Sequence, residues 1–174
     1  MFSEQYGLDN IDKQIIMLLQ KNPNITHSEI AEKISRSQPA VGSRINKLIE
    51  KGVISSQFGV NFKNAKINLV KVEISSKDPE KVFQMANHCP FIVNCMRISG
   101  EYNIMLFLAS SDLKKIDNVV NFHFRNNNDI TKVNMEVVTE FLKDFIQPIN
   151  FEMDTHEPDP LEGCGALCSV KKVQ

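Results

Sequence analysis

The sequence predicts an α+β protein in which an N-terminal helix-turn-helix unit is followed by a C-terminal unit of alternating strands and helices. Two observations support this prediction: two amphipathic helices separated by a tight turn over residues 26–54, and an alternation of strand-like and helix-like segments over residues 68–138. A third observation, an acidic, cysteine-containing C-terminus, sets the tail apart from both units. We therefore divide the chain into residues 1–62, residues 63–150 and a tail of residues 151–174.

The N-terminal unit is predicted to contain three helices. Asp9 and Asp12 mark the start of the first helix, which ends before the turn-forming residues 22–24. Thr26 and Glu29 form a capping box, in which the hydroxyl accepts a hydrogen bond from a backbone amide at the helix start and the carboxylate accepts one from the cap residue. The second helix is therefore expected to begin at this pair.

The third helix follows after a short turn at residues 35–37. Ser37 is placed as its N-cap, Pro39 lies in the first turn, where a missing N–H costs little, and Gly52 suits a left-handed residue after the C-terminus. Its apolar face consists of Val41, Ile45, Leu48 and Ile49. Residues 53–61 are predicted to form a wing or a linking strand.

The opposite face of the third helix suits contact with a DNA groove. Small residues allow a close approach, while long donors reach base edges and phosphates. The residues predicted to contact DNA are Ser37, Gln38, Pro39, Ala40, Ser43, Arg44 and Lys47. Arg44 and Lys47 are expected to position the helix or read bases, and Asn46 flanks this face. The alternative is a helical hairpin whose polar side faces water.

The net charge of the whole chain gives no indication of nucleic-acid binding, because its formal value is -1. Residues 36–51, however, contain Arg36, Arg44, Lys47 and Lys51 against a single acid. One such patch neutralises few phosphates, so a single copy is expected to bind DNA weakly. A dimer that presents two recognition helices is therefore required.

The C-terminal unit alternates strands and helices in the order βαββαβ. The predicted strands are residues 68–75, 92–99, 104–109 and 130–138, and the predicted helices are residues 79–87 and 113–124. This order predicts a ferredoxin-like unit in which two helices cover one face of the sheet. The other face is expected to be free and to form the dimerisation surface.

Many positions of the N-terminal half match one known family in order. They are Leu8, Asp9, Asp12, Ser28, Glu29, Ile30, Ala31, Ser37, Val41, Arg44, Ile45, Leu48, Gly52, Val53 and Ile54. On these residues the chain resembles the Lrp/AsnC (feast/famine) transcriptional regulators, and specifically the archaeal type. The resemblance implies a winged helix-turn-helix joined to a RAM/ACT-like regulatory domain. It also implies a sequence-specific regulator, not an enzyme, that binds double-stranded DNA as a dimer or higher oligomer and responds to a small effector.

Residues 98–103 form the predicted turn where this family carries a Gly-x-Tyr-Asp loop that borders an amino-acid effector site between dimers. Gly100 and Tyr102 match, and Asn103 replaces the acid, which removes a charged partner for a ligand ammonium group. The resemblance implies that Gly100, Tyr102 and Asn103 bind the effector. The alternative is an ordinary hairpin turn at a subunit interface.

The tail departs from the family. His156, Cys164 and Cys168 are ligand types that suit zinc or another transition metal. A metal-sensing tail, a redox disulfide between the two cysteines, and an inert or disordered tail are the alternatives. Cys89 and Cys95 are interpreted as structural.

The remaining patterns exclude several classes of protein. No apolar run approaches the roughly 20 residues of a membrane span, and the N-terminus lacks a secretory signal, so we expect a cytoplasmic protein. The histidines are scattered, and the sequence has neither a nucleophile elbow nor a phosphate-binding glycine run. A small-molecule-binding module or an enzyme without DNA binding therefore ranks below a regulator.

Overall fold

The computed structural model describes residues 2–165, which divide into two units, one ending at Ser56 and the other beginning at Gln57. The first unit is helical, and the second combines an antiparallel sheet with helices. None of the helices in residues 2–165 combines the length and the apolar character needed to cross a bilayer.

Residues 2–56 contain four helices, one more than predicted. They are α1 (Phe2–Gln5), α2 (Asn10–Lys21), α3 (His27–Lys33) and α4 (Gln38–Glu50). The additional helix, α1, is a single turn. Side chains from α2, α3 and α4 meet in one core, in which Ile15, Ile30 and Val41 are completely buried.

Capping boxes fix the starts of α2 and α3. In the predicted box, Glu29 N donates to Thr26 Oγ1 at 3.2 Å and Thr26 N donates to Glu29 Oε2 at 2.7 Å. Asp9 and Asp12 form a second box, in which Asp12 N donates to Asp9 Oδ1 at 2.8 Å and Asp9 N donates to Asp12 Oδ2 at 3.2 Å. Both boxes satisfy amides that a helix start leaves without partners.

The turn between α3 and α4 is closed by backbone hydrogen bonds. Arg36 N donates to Ala31 O at 2.9 Å, and Ser35 N donates to Glu32 O at 3.3 Å. This pair of bonds is a Schellman motif, which requires a left-handed residue, and Ser35 has a φ of 53°. The turn is therefore tight and holds α4 at a fixed position after α3.

Two details predicted for the N-terminal unit are wrong. Ile49 is 50% exposed, because Leu48 takes the buried position and the next residue on a helix is rotated away by about 100°. Residues 53–59 form no strand, and the strand that follows, β1 (Val60–Asn61), pairs with β6 (Ile146–Gln147) of the second unit. The two compact units divide between Ser56 and Gln57, and the predicted domain boundary at residue 62 stays a prediction.

The second unit is built on an antiparallel sheet with the strand order β3-β4-β2-β5. Its elements are β2 (Asn68–Ser76), α5 (Pro79–Ala86), β3 (Ile92–Arg97), β4 (Ile104–Ser110), α6 (Leu113–Val120) and β5 (Ile130–Val137). Their order and pairing confirm the predicted ferredoxin-like βαββαβ fold. Directly after α6, Asn121–Arg125 form a π-helical turn, in which Asn126 N donates to Asn121 O at 2.9 Å.

The main core lies on the helix side of the sheet. Val70, Val72 and Ile74 of β2 are completely buried, as their predicted alternation requires. The predicted inward stripe of α6 and its extension is buried with them, and it consists of Ile116, Val119, Val120 and Phe124. The period of the apolar residues therefore predicts this face correctly.

The opposite face of the sheet is not free along its whole length, and the prediction is wrong on this point. Leu69 and Ala109 are buried at one end with Phe62, and Phe141 and Phe145 pack against them. These phenylalanines come from segments on either side of the βαββαβ core, beyond the strands that the sequence pattern defines. Only the rest of the face is left open to a second subunit.

Residues 151–165 form a folded segment, called the strap below, against α6. Met153 is buried in the main core, and the strap begins with the short helix Phe151–Asp154. Side chains of α6 and the following turn donate to strap carbonyls: Lys115 Nζ to His156 O at 3.0 Å, Asn118 Nδ2 to Pro158 O at 2.7 Å and Asn126 Nδ2 to Pro160 O at 3.1 Å. The alternative of a disordered tail is therefore wrong for residues 151–165.

Candidate nucleic-acid interface and effector loop

The outer face of α4 carries an exposed stripe of polar and small residues. Pro39, Ser43, Asn46 and Glu50 recur at spacings of three and four residues, and Lys47 lies beside them. The stripe lies opposite the buried residues of the same helix. It contains no bulky apolar side chain, so it can approach a groove closely. Asn46 is part of this stripe, a position that its spacing of three from Ser43 indicates.

The start of α4 is also exposed. Gln38 and Ala40 are open to solvent, and Ser37 has the extended backbone of an N-cap, with φ of -78° and ψ of 147°. The Ser37 hydroxyl makes no capping hydrogen bond. The first amides of α4 thus keep the orientation in which helix N-termini bind phosphate groups.

Arg44 is held within the first unit. Its Nη1 lies 2.7 Å from Asp12 Oδ1 and 2.7 Å from Asp9 Oδ2. The hydrogen bond with Asp12, followed by that with Asp9, raises the pKa of the guanidinium. The pKa of the Asp9 carboxyl is lowered by the hydrogen bond from Asp12 N and by Arg44. This arrangement favours a structural role for Arg44, and its predicted contact with bases stays a prediction.

Lys47 is the exposed cation of the stripe. Within residues 2–165, no hydrogen bond or ion pair to the Lys47 ammonium is found, so the charge is available to a phosphate. Arg36 Nη1 donates to Ser35 O at 3.0 Å, and Lys51 Nζ donates to Tyr6 O at 3.3 Å. Bonds to carbonyls leave the charges of Arg36 and Lys51 in place, whereas the charge of Arg44 is offset by the carboxylates of Asp9 and Asp12.

The predicted effector loop lies between β3 and β4 and is tied to its neighbours. Gly100 is exposed and has a φ of 132°, which favours glycine, and Tyr102 is half-buried. Ser75 Oγ donates to Glu101 O at 2.5 Å, and Lys132 forms an ion pair with the Glu101 carboxylate. Hydrogen bonding to Lys132 lowers the pKa of Glu101.

Asn103 pairs with the end of β2 as a strand backbone would. Ser76 N donates to Asn103 Oδ1 at 2.9 Å, and Asn103 Nδ2 donates to Ser76 O at 2.7 Å. An aspartate at this position could accept from Ser76 N but could not donate to Ser76 O. The amide therefore has a structural reason to replace the acid of the family pattern, and effector binding by Gly100, Tyr102 and Asn103 stays a prediction.

The predicted metal ligands lie in or beyond the strap. His156 is buried, its Nδ1 lies 2.7 Å from Glu152 O, and its ring packs edge-on against Phe91. Cys164 is half-buried against the main core, and Cys168 lies outside the described residues. Within residues 2–165, no group of three or more His, Cys, Asp or Glu side chains is arranged to hold a metal ion. A metal at His156, Cys164 and Cys168 stays a prediction.

Neither of the other two cysteines has the features of a reactive thiol. Cys89 is buried, and Cys95 is half-buried in β3, where burial raises the pKa of its thiol to about 11. A thiol with a raised pKa stays protonated at neutral pH and is a poor nucleophile. These positions suit the structural interpretation of both residues.

Two family models match the chain. Residues 8–55 match the model for winged helix-turn-helix DNA-binding, and residues 68–147 match the Lrp/AsnC ligand binding domain. The matches favour neither an enzyme nor a module without DNA binding, and the strap lies beyond both of them. They therefore account for the helical unit and for the βαββαβ unit separately.

Individual proteins are similar to this chain over most of its length. The HTH-type transcriptional regulator LrpA of Pyrococcus horikoshii is 29% identical over 140 residues, which are 78% of this chain and 99% of that protein. The structure of Bacillus subtilis LrpC has a TM-score of 0.66 and 26% identity, covering 78% of this chain and 97% of LrpC. A complex of NMB0573 of Neisseria meningitidis with L-Met has a TM-score of 0.67 at 17% identity and covers 78% of this chain and 92% of that one, which shows the shared fold. The two family models match both units, and the matches to relatives extend over almost the full length of those relatives. Together these findings show that the chain belongs to the Lrp/AsnC family of transcriptional regulators.

Proposed function

We propose that this chain regulates transcription in the cytoplasm by binding specific sites in double-stranded DNA as a dimer, with α4 in the major groove. The observation that carries this proposal is the exposed stripe of α4, whose opposite face is fixed in a core by Val41, Ile45 and Leu48. A helix anchored in this way presents its outer side chains at defined positions, which is what recognition of base edges requires.

The residues of the stripe divide by chemistry. Lys47 and Ser37 contact phosphates, the first through its charge and the second beside the first amides of α4. Gln38, Ser43 and Asn46 carry side chains that hydrogen bond to base edges. Pro39 and Ala40 allow the close approach, and Arg44 holds α4 against α2.

Dimerisation uses the open part of the sheet in the second unit. This part carries Lys71, whose ammonium lies 2.6 Å from Glu136 Oε2 and 3.3 Å from Glu73 Oε2. The three side chains form an ion-paired group with a formal charge of about -1, so a second copy that covers this group has to supply one compensating cation. Two copies bring two α4 helices to half-sites about 34 Å apart along DNA.

The second unit supplies regulation by a small effector, for which we propose an amino acid bound beside residues 98–103. The match of residues 68–147 to a ligand-binding domain supports this proposal, as does the L-Met complex of the neisserial protein. The Gly100 amide and the Tyr102 hydroxyl are the available donors, because the Asn103 side chain is already bonded to Ser76. A thermal shift of the full chain on addition of one amino acid, lost in Tyr102→Phe and kept in Tyr6→Phe, would support this site; no shift with any amino acid would contradict it.

In vitro selection from a random DNA library tests the DNA-binding proposal. The full chain is expected to enrich an inverted repeat whose half-sites are centred about one helical turn apart. Sedimentation of the selected duplex with the protein should give two chains per site, or a multiple of two. A pool that remains random after repeated rounds would overturn the proposal.

A further inference from the structure

A cavity of about 350 Å³ opens in the second unit between α5 and the turn that follows α6. This volume lies in the range of small-molecule pockets. Val82, Met85 and Phe124 form its apolar floor, and Asp78, Lys81 and Asp129 stand at its polar side. None of the lining residues belongs to the loop at residues 98–103, and Ser76, which also lines the cavity, is the residue to which Asn103 of that loop is hydrogen-bonded.

Phe122 and His123 of the π-helical turn Asn121–Arg125 form part of one wall of the cavity. Such turns are rare, and they occur frequently at functional sites. This one brings Phe122 and His123 to the cavity with their ring centroids 4.8 Å apart. Burial lowers the pKa of His123 to about 4, so the imidazole adds no charge to the cavity at neutral pH.

The polar side of the cavity carries more negative than positive charge. Lys81 Nζ lies 3.8 Å from Asp78 Oδ2 and 3.6 Å from Asp129 Oδ2. Both distances exceed the roughly 2.7–2.9 Å of a charge-assisted hydrogen bond, so the ammonium makes no short hydrogen bond to either carboxylate, and Asp78 Oδ1 accepts a further hydrogen bond from Lys81 N at 3.3 Å. Among the residues that line the cavity, two carboxylates share one ammonium and leave a formal charge of about -1, while Lys77 lies outside the lining with its Nζ 3.1 Å from Asn128 O.

The strap supports this wall from outside. A Cβ atom at Gly163 would lie 2.6 Å from Phe122 Cε1, so the strap backbone touches the ring directly. Residue 147 ends the match to the Lrp/AsnC ligand binding domain. The wall at Phe122 is therefore backed by a segment that lies outside the matched domain.

We propose that this cavity binds a small primary amine, with its ammonium group between Asp78 and Asp129 and a short apolar body on Val82 and Met85. The ammonium completes the hydrogen bonding of both carboxylates and neutralises the remaining charge. A zwitterion of the same size brings its own carboxylate and leaves the charge unbalanced, so the site distinguishes amines from amino acids. This inference goes beyond the effector loop and does not depend on DNA binding.

The test uses isoamylamine as the probe, with the full chain in the absence of DNA. Ligand-observed NMR titration should show binding of the amine, with binding of isoamyl alcohol, isovalerate and leucine weaker by about tenfold or more. Asp129→Asn and Asp78→Asn should each weaken amine binding by about tenfold, because each removes a charged hydrogen bond. Asparagine also caps helices, so Asp78→Asn keeps the cap of α5.

Asp112→Asn is the matched control. Asp112 caps α6 as Asp78 caps α5, accepting a hydrogen bond from Lys114 N at 2.8 Å, but it does not line the cavity. This variant should bind the amine as the unchanged protein does, and circular dichroism confirms that each variant is folded. If Asp78→Asn fails to fold, Asp129→Asn decides the question. Equal binding of amine and alcohol, unchanged amine binding in Asp129→Asn, or leucine binding as strong as the amine and equally sensitive to Asp129→Asn would each overturn the proposal.

Discussion

Arg44 of α4 and Asp12 of α2 form a hydrogen-bonded ion pair, with Arg44 Nη1 2.7 Å from Asp12 Oδ1. Asp12 also belongs to the capping box that starts α2. The same carboxylate therefore begins one helix and positions the proposed recognition helix. The position of α4 depends on this residue as well as on the apolar core beneath it.

Arg44→Ala is expected to lower the melting temperature of the protein by a few degrees, because α4 loses its polar connection to α2. Arg44→Lys should restore only part of the loss, since an ammonium cannot reproduce the planar geometry of the guanidinium. Arg36→Ala is the control, because the Arg36 guanidinium bonds, among residues 2–165, only to the neighbouring carbonyl of Ser35, and the substitution keeps the backbone hydrogen bond to Ala31 O. A melting temperature that is unchanged in Arg44→Ala would show that the ion pair does not stabilise the unit.

Lys47→Ala is expected to weaken binding to all DNA sequences by a similar factor. Each phosphate contact adds about one to the slope of log affinity against log salt concentration, so the slope should fall by about one per bound subunit. Fluorescence anisotropy at several salt concentrations measures this slope. Lys21→Ala removes an exposed charge at the end of α2 and should leave it unchanged. An unaltered slope in Lys47→Ala would exclude the phosphate contact.

Asn103→Asp is expected to destabilise the second unit by about 1–3 kcal/mol, because a half-buried hydrogen bond is replaced by two oxygens that repel each other. The new carboxyl would face Ser76 O, now 2.7 Å from the Asn103 amide nitrogen. Repulsion raises the pKa of that carboxyl in the folded protein, so the deficit should be largest at neutral pH, shrink as the pH falls towards about 3.9, the ordinary pKa of aspartate, and stay constant below it. Asn94→Asp is the control, since its oxygen only accepts a hydrogen bond from Cys95 N. Urea unfolding at several pH values would contradict the account if both variants behaved alike.

His123→Phe is expected to change how stability depends on pH. The pKa of His123 is lowered by burial from 6.5 to about 4, so the unfolded chain takes up a proton at a higher pH than the folded chain does. The His123 contribution to stability is therefore lost as the pH falls from about 6.5 to about 4, and it is constant below that range. The free energy of unfolding of the variant should fall less over this interval than that of the unchanged protein. Parallel curves for the two proteins would show that His123 titrates normally.

Gly163→Ala is expected to displace Phe122 and to loosen the strap. Gly163 and Gly165 both have positive φ, at 65° and 55°, but a Cβ atom meets the Phe122 ring only at Gly163. Both alanine variants carry a backbone cost of about 1–2 kcal/mol, and Gly163→Ala adds the clash to it. Hydrogen exchange of residues 151–165 should accelerate more in Gly163→Ala than in Gly165→Ala. Equal effects would mean that the contact with Phe122 contributes nothing.

The regular spacing of apolar residues explains why most of the fold could be predicted from the sequence. The alternation in β2 and the stripe of Ile116, Val119 and Val120 each determine one buried face, and helix caps such as Thr26 with Glu29 determine where helices begin. These signals are local, because each can be recognised from a few neighbouring residues of the sequence. The βαββαβ order follows from such signals and is confirmed.

Contacts between distant residues explain what could not be predicted. The helical period places Arg44 beside the outer face of α4, but it does not reveal that Asp9 and Asp12 lie within reach. The packing of Phe141 and Phe145 against Leu69 likewise depends on how separate segments fold back onto each other. The same is true of the contact between Gly163 and Phe122. Asn103 matches a family position, yet its partner at Ser76 lies in another strand.

The specificity of DNA recognition tests the proposed role of α4 most directly. In vitro selection should be carried out with the unchanged protein and with a variant that combines Ser43→Ala and Asn46→Ala, two exposed positions of the stripe that make no core contact. We predict that the half-site spacing stays the same while the preferred bases change at one or more positions in each half-site. An identical preferred sequence for both proteins would contradict base recognition by this face of α4.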